Sequence, residues 1–182
     1  MIFAEERLFL KNGQECILRS GAGPDAEDVL AYLKKTAGET DFLTRYPEEI
    51  LMTIEEERAF LEGKRTSPKD VMIVAAVDEK IIAGAGLNCL IDVIKYRHRA
   101  TLGLSIEKEY WNLGLGTKLM ESALGCAGTA GYEEVELEVY CDNERAVRLY
   151  QKFGFEIYGT RERASKNKDG SYFAEYLMAR RL

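Results

Sequence analysis

Apolar residues recur along the chain with two spacings, and each spacing predicts a different kind of element. Residues 71–77 form a nearly unbroken apolar run, which is typical of a strand buried on both faces of a sheet. Val135, Leu137 and Val139 alternate with glutamates, which indicates a strand with one buried face and one exposed face. Both segments are therefore predicted to belong to a sheet.

Strand signals also appear in five further segments, each bounded by turn residues or charged residues. These segments comprise residues 16–19, 81–90, 99–106, 155–161 and 172–181. Asp78 and Glu79 separate two of the runs, and residues 168–170 separate the last two. Short polar connections of this kind favour antiparallel hairpins.

Apolar residues at helical spacing predict four helices, which end near residues 35, 62, 130 and 153. Asp25 and Asn143 are predicted N-caps, and Thr53 with Glu56 forms a capping-box pattern. Gly154 stands where the left-handed residue that follows a helix is expected. The chain therefore carries its own helix start and stop signals.

The order of these elements predicts the class of fold. A strand, two helices, three strands, a helix, a strand, a helix and two strands follow one another, with an irregular segment at residues 37–52. This order is typical of an α/β or α+β sandwich in which helices cover both faces of a mixed sheet. Because 182 residues is an ordinary size for one domain, residues 1–182 are expected to form a single domain.

Charge and hydropathy argue against two classes of binding partner, nucleic acids and membranes. The net charge is −6 and the pI is about 5.1, and an acidic surface repels phosphate backbones, so no nucleic-acid partner is expected. No apolar run approaches the ~20 residues of a membrane-spanning helix, and the first ten residues lack the pattern of a signal peptide. A cytoplasmic protein with no membrane partner is therefore expected.

The residues that could hold a metal are scattered along the chain. Cys16, Cys89, Cys126 and Cys141 form no CxxC pair, and His98 is the only histidine. No metal site and no disulfide framework are therefore expected. Cys141 could act as an acyl nucleophile or could be a small residue that only fills space. The second interpretation is favoured, because no motif places beside it a histidine or lysine that would lower the pKa of its thiol.

A glycine turn, Gly114-Leu-Gly116, follows a predicted strand and opens a helix. Helix N-termini offer unpaired N–H groups, so a phosphate or pyrophosphate is the expected guest, with Thr117 adding a hydroxyl. The alternative is a tight turn that binds nothing. A P-loop is disfavoured because Lys118 follows Thr117 instead of preceding it, and a dinucleotide fingerprint is disfavoured because Leu119 occupies the third glycine position.

Three segments around this turn resemble the GNAT superfamily of N-acetyltransferases. They are residues 104–107 (Leu-Ser-Ile-Glu), residues 110–117 (Tyr-Trp-Asn-Leu-Gly-Leu-Gly-Thr) and residues 142–155, which contain Asn-x-x-Ala-x-x-Leu-Tyr-x-Lys-x-Gly-Phe. The resemblance implies a mostly antiparallel sheet of about six to seven strands with helices on both faces. It also implies transfer of an acetyl group from acetyl-CoA to a primary amine, by direct attack in a ternary complex.

The resemblance implies a role for each residue of these segments. The strand end would pair with the pantetheine arm as an added strand would, the turn would hold the pyrophosphate, and the last helix would contact the pantetheine or adenosine side. The cofactor-binding residues implied in this way are Leu104, Ser105, Ile106, Asn112, Leu113, Gly114, Leu115, Gly116, Thr117, Asn143, Ala146 and Tyr150. One position departs from the family pattern, since Trp111 stands where arginine or glutamine is usual. Lys118 or Lys152 is expected to compensate.

Three residues are candidates for catalysis. The resemblance points the hydroxyl of Tyr150 at the sulfur, where a phenol with an ordinary pKa near 10 can donate a proton to the thiolate. The alternative for Tyr150 is a core tyrosine. Glu107 and Glu138 are both candidates for the general base, and the alternative for each is a solvated surface charge. His98 lies at the far end of its strand and is expected to be an ordinary, partly exposed histidine.

Only the distribution of acidic residues gives an indication of which amine accepts the acetyl group. Eight acidic residues between positions 39 and 62 would attract a cationic amine, such as a polyamine or a peptide N-terminus, if they lined the site. The alternative is a solvated helix face. A non-catalytic acyl-CoA sensor on the same fold is the competing function, and a nucleotide hydrolase is disfavoured because no phosphate lysine or metal carboxylate appears in pattern. A homodimer is an expected assembly, since exposed sheet edges often pair.

Overall fold

Eight strands form one sheet in the computed structural model, which describes all 182 residues. The strands are β1 (Glu6–Phe9), β2 (Glu15–Ser20), β3 (Val71–Val77), β4 (Lys80–Cys89), β5 (Arg99–Ile106), β6 (Glu134–Tyr140), β7 (Glu156–Lys166) and β8 (Tyr172–Arg181). Their order across the sheet is β1-β2-β3-β4-β5-β6-β8-β7. All neighbours are antiparallel except β5 and β6, which are parallel. The mixed, mostly antiparallel sheet is thus confirmed.

Four helices flank the sheet, as the apolar spacing predicts. They are α1 (Ala26–Glu39), α2 (Ile54–Thr66), α3 (Leu115–Thr129) and α4 (Glu144–Lys152). None of them is both long and apolar enough to cross a membrane. No group of three or more histidine, cysteine, aspartate or glutamate side chains is arranged to hold a metal ion, and all four cysteines are free.

The sheet has one strand more than the expected upper count of seven. The strand that sequence patterning missed is β1, which pairs with β2 at the edge of the sheet. Three of its four residues are exposed, so it has no apolar alternation from which to recognise it. Its position is fixed by pairing with β2 rather than by burial.

Both early helices run about four residues beyond their predicted ends. In α1 the Thr36 hydroxyl donates to the Tyr32 carbonyl, and Ala37 packs with Leu30 and Ile50, so tertiary contacts carry the helix to Glu39. The expectation of irregular structure over 37–52 is therefore wrong for 37–39. The remainder of that segment contains only a short 3₁₀ turn.

Three local signals are confirmed. The Thr53 hydroxyl accepts from the Glu56 amide at 3.2 Å while the Glu56 carboxylate accepts from the Thr53 amide at 2.8 Å. Asn143 caps α4, and Gly154 follows it with a φ of 79°. One cap is wrong, because the Asp25 carboxylate does not cap α1. It instead accepts from the Ala22 amide and pairs with Arg19 at 2.6 Å.

The apolar core lies on both faces of the sheet. Alternate residues of β3 point to opposite sides, so Ile73 packs on the side of α3 and α4 whereas Val74 packs on the side of α1 and α2. These sides are called the α3 face and the α1 face. Both β3 residues are fully buried, which confirms a strand covered on both faces.

Candidate functional site

The central feature of the site is a gap between two parallel strands. β5 and β6 pair only over Arg99–Thr101 and Glu134–Glu136, and they part from Leu102 onward. β6 stays paired with β8 over all seven of its residues, whereas β5 stays paired with β4 up to Ile106. The second half of β5 therefore has an edge without a neighbouring strand.

The backbone register identifies which groups face the gap. Leu90 donates to the Arg99 carbonyl, and Glu107 donates to the Ile82 carbonyl at 2.9 Å. Because hydrogen-bonded pairs alternate along an antiparallel ladder, odd-numbered residues of β5 bond to β4 and even-numbered ones face the other way. The backbone groups of Leu104 and Ile106 thus point into the gap, while those of Ser105 bond toward β4.

The turn after β5 presents a run of unpaired amides. The backbone N–H groups of residues 112–116 donate no hydrogen bond within the protein, whereas Thr117 donates to the Gly114 carbonyl at 3.1 Å. Asn112 and Gly114 have φ values of 63° and 91°, which turn successive amides toward one side. Such concave runs at a helix start bind anions.

The turn is held from two directions. The Leu113 carbonyl accepts from the Lys11 amide at 3.2 Å, which ties the turn to the β1–β2 connection. A Cβ atom added at Gly116 would lie 3.2 Å from a methyl of Leu149, so glycine lets α4 pack against the start of α3. Buried Leu115 anchors the start of the helix in the core.

The indole ring of Trp111 makes two contacts in the site. Its indole N–H donates to the Ile106 carbonyl at 2.7 Å, and the Arg145 guanidinium lies 3.4 Å from its ring centroid. The lysines expected to compensate have other partners: the Lys118 ammonium pairs with Glu121, and the Lys152 ammonium lies 5.8 Å from the Phe153 ring centroid. Arg145 is the nearer of two cations at the Trp111 ring, since the Lys108 ammonium lies 6.0 Å from the ring centroid, and sequence reasoning missed Arg145.

Tyr150 lies on the α3 face with its ring buried. It is 8% exposed, packs against Phe155, and its hydroxyl has no hydrogen-bond partner in the protein. Burial raises the pKa of Tyr150 to about 12, so the phenol is protonated at neutral pH. The Asn143 side-chain oxygen accepts from the Ala146 amide at 3.3 Å, which occupies that oxygen as a helix cap.

Glu107 lies at the end of β5 and is 5% exposed. The Lys35 ammonium of α1 donates to its carboxylate at 2.5 Å and to Glu109 at 2.7 Å. Burial raises the pKa of Glu107, and the nearby Lys35 opposes that rise. A partly desolvated carboxylate of this kind is suited to proton abstraction.

Glu138 has a different environment. Its side chain is 52% exposed, and both of its carboxylate oxygens accept from Arg161 at 3.1 Å. The two candidate bases therefore differ, because Glu107 is buried against one lysine whereas Glu138 is solvated and held by an arginine fork. The Arg161 guanidinium also contacts Glu175, a carboxylate that is only 9% exposed.

A tyrosine that sequence reasoning missed supports the strand end. Tyr32 of α1 is 2% exposed, and its hydroxyl donates to the Ser105 carbonyl at 2.8 Å and contacts the Ser105 hydroxyl. The two residues are 73 positions apart, so no local pattern could have linked them. Tyr32 thereby fixes the part of β5 beside the gap.

Aromatic side chains gather on the α1 face near the end of β6. The Tyr140 and Phe173 ring centroids lie 5.0 Å apart, and Phe42 lies 6.3 Å from each. Phe42 comes from the segment between α1 and α2, so this aromatic trio joins three parts of the chain. Buried Tyr140 lies directly opposite Glu175 of β8, which places a carboxylate beside the trio.

The acidic segment does not form a continuous free surface. Glu39 accepts from the Lys108 amide, Glu49 from the Tyr46 amide and Glu62 from the Gly23 amide. Glu48 pairs with Lys168, Glu56 belongs to the capping box, and Glu57 is 2% exposed with its pKa raised by burial. Most of these carboxylates serve local structure.

His98 and Cys141 lie apart from the free edge of β5. The His98 carbonyl accepts from the Glu133 amide, at the end of β5 where the strands still pair. Cys141 follows β6 directly, and burial raises the pKa of its thiol, which disfavours a thiolate.

Known proteins with similar sequences and folds are acetyltransferases. The family model described as the acetyltransferase (GNAT) family matches residues 37–155. A crystal structure of an acetyltransferase of the GNAT family from Streptococcus pneumoniae is 33% identical, with a TM-score of 0.88 over 92% of this chain and 99% of that chain.

Two further proteins are similar to this chain. The L-amino acid N-acetyltransferase AaaT of Escherichia coli is 30% identical over 112 residues, which span 59% of this chain and 66% of that protein. A structure of yncA from Salmonella typhimurium, solved with its cofactor acetyl-CoA, is 14% identical with a TM-score of 0.80, over 91% of this chain and 92% of that chain. At that identity the likeness concerns the fold alone.

Proposed function

The chain belongs to the acetyltransferase (GNAT) family, and we propose that it transfers an acetyl group from acetyl-CoA to the α-amino group of an acceptor with an apolar side chain. Family membership supports the reaction class, which is acetyl transfer to an amine. The observation that carries the cofactor assignment is the free edge of β5 beside a run of unpaired amides. An extended amide-bearing arm fits the first feature, and phosphates fit the second.

The protein groups around the gap divide the chemistry between the two faces of the sheet. When bound, acetyl-CoA supplies an acyl carbon activated as a thioester. Glu107 accepts the proton that the attacking amine loses, and its burial favours this role over the solvated Glu138. Tyr150 donates its proton to the sulfur as the C–S bond breaks and the C–N bond forms.

The preorganised backbone supports the reacting carbonyl. Negative charge develops on the acetyl oxygen during attack, and the Ile106 amide at the free edge is a donor that can stabilise it. Trp111 and Tyr32 hold the carbonyls of Ile106 and Ser105, which fixes this stretch of β5. The strand end therefore needs little rearrangement to act.

The acceptor class is supported by the aromatic trio. Phe42 and Phe173 are partly exposed and pack on buried Tyr140, so they present an apolar surface on the α1 face, the face that also carries Glu107. Apolar side chains bind such surfaces, whereas polyamines require free carboxylates. A relative that shares 30% identity is named for acting on L-amino acids.

The test is a thiol-release assay with acetyl-CoA and a panel of acceptors. L-phenylalanine, L-methionine and peptides that begin with these residues are expected to react at least about 10-fold faster, in kcat/KM, than spermidine or L-glutamate. The variant Phe42→Ala should erase that preference. Turnover on every acceptor should fall about 10²- to 10⁴-fold in Tyr150→Phe, with cofactor binding kept.

Three results would contradict the proposal. A preference for polyamines that survives in Phe42→Ala would exclude the aromatic trio as the acceptor surface. Turnover that is unchanged in Tyr150→Phe would remove Tyr150 as the proton donor. Cofactor binding with no turnover on any amine would favour a non-catalytic acyl-CoA sensor.

A further inference from the structure

Arg145 is a cation without an anion. It lies in the first turn of α4, is half-buried, and its guanidinium makes no hydrogen bond and no ion pair within the protein. The guanidinium stacks on Trp111, with its central carbon 3.4 Å from the ring centroid. Burial lowers the pKa of Arg145, since no carboxylate offsets the desolvation of its charge. Five N–H donors are therefore held in a fixed plane with no acceptor.

Trp111 holds the plane of the Arg145 guanidinium. Trp111 is itself fixed, because its indole N–H donates to the Ile106 carbonyl at the end of β5. A guanidinium stacked on a fixed aromatic ring keeps its charge while losing few orientations on binding. The pair is thus preorganised, and it lies directly before the unpaired amides of residues 112–116.

The helix geometry brings Arg145 to the same place as the amides. Residues four apart lie on one face of a helix, so Arg145 and Leu149 share a face of α4. Leu149 approaches Gly116 so closely that a Cβ atom there would lie 3.2 Å from it. The face of α4 that carries Arg145 therefore packs over the start of α3, where the free amides end.

We propose that the Arg145–Trp111 stack is a phosphate clamp for coenzyme A, in which Trp111 orients the guanidinium that binds the phosphate. The clamp rests on the proposed function and adds a binding residue to it. It also accounts for the departure at position 111, since Arg145 on α4 supplies the guanidinium that an arginine at this position would carry.

The test measures the affinity for coenzyme A by calorimetry and by the emission of Trp111, the only tryptophan in the chain. Arg145→Met, which removes the charge and keeps the stem, should weaken binding about 10- to 100-fold and raise KM for acetyl-CoA more than it lowers kcat. Trp111→Leu keeps the charge and loses the stack, so a smaller loss is expected. The matched control is Arg148→Met on the same helix, whose arginine is 67% exposed and pairs with Glu144. It should change affinity less than about twofold.

A second ligand identifies the phosphate. If the clamp holds the 3′-phosphate, the loss in Arg145→Met disappears with 3′-dephospho-coenzyme A. If it holds the pyrophosphate, the loss persists. Either result supports the clamp. Wild-type binding that is matched by a folded Arg145→Met variant would overturn the clamp alone, whereas a wild-type protein that binds no coenzyme A would overturn the proposed function and the clamp together.

Discussion

At the scale of single residues, the proposed reaction needs Tyr150 to hold a proton and Glu107 to be without one. Tyr150 must keep its proton until the thiolate leaves, and burial helps because it raises the phenol pKa to about 12. Glu107 must be deprotonated to act, and burial raises its pKa as well. Lys35, at 2.5 Å, opposes that rise. In that proposed reaction, the ion pair with Lys35 sets the pH above which Glu107 can accept a proton.

The pH profile tests this pairing. With Glu107 as the proposed base, the ionised carboxylate is the active form, so kcat/KM should rise with pH through the pKa of Glu107. Lys35→Met removes the charge that lowers this pKa, so the acid limb should move to higher pH. Glu107→Gln should abolish the limb and lower kcat about 10²- to 10⁴-fold. Thiol release measured from pH 5 to 9 gives both results.

Glu109 provides a control for the Lys35–Glu107 ion pair. It also accepts from Lys35 but its side chain is 61% exposed, so Glu109→Gln should leave the acid limb nearly in place. An acid limb that persists in Glu107→Gln would contradict the base assignment and direct attention to Glu138 or Glu175.

At the scale of elements, the turn between β5 and α3 offers backbone N–H groups, and not side chains, to a ligand. Its amides stay free because Asn112 and Gly114 adopt left-handed values of φ, and because α3 begins without a side-chain cap. The phosphate affinity proposed for this turn therefore depends on backbone geometry, which an added side chain can disturb.

The glycine at 114 tests this dependence. Gly114→Ala forces an L-residue to a φ of 91°, which should lower the free energy of unfolding by about 1–2 kcal/mol and weaken cofactor binding. The matched control is Gly125→Ala inside α3, the helix that Gly114 precedes, where a Cβ atom meets nothing within 4 Å. It should raise stability by about 1 kcal/mol. Urea unfolding measures both changes, and equal effects would contradict the left-handed requirement.

Sequence predicts the elements well where their causes are local. The capping box at Thr53, the cap at Asn143 and the left-handed Gly154 are set by neighbours three or four residues away. The extension of α1 and the edge strand β1 depend on contacts elsewhere in the fold. For the same reason the glycine turn is visible in the sequence, whereas Arg145 on Trp111 is not.

At the scale of the whole molecule, β5 and β6 are joined over three residue pairs and then held apart by their outer partners. The sheet is therefore continuous at one end and open at the other. A ligand that pairs with the free edge of β5 would bridge the two halves of the sheet. Binding should thus stabilise the entire fold as well as the site.

Thermal unfolding with acetyl-CoA measures this effect, and amide exchange locates it. A ligand at ~100 times its dissociation constant adds about 2.7 kcal/mol, which should raise Tm by about 5–10 °C for a chain of this size. The amides of Leu104 and Ile106 should become protected from exchange, because they face the gap. The Glu107 amide, already bonded to Ile82, is the internal control and should change little. A higher Tm without protection at Leu104 and Ile106 would mean that the cofactor binds through the turn alone, and that the free edge of β5 does not pair with the pantetheine arm.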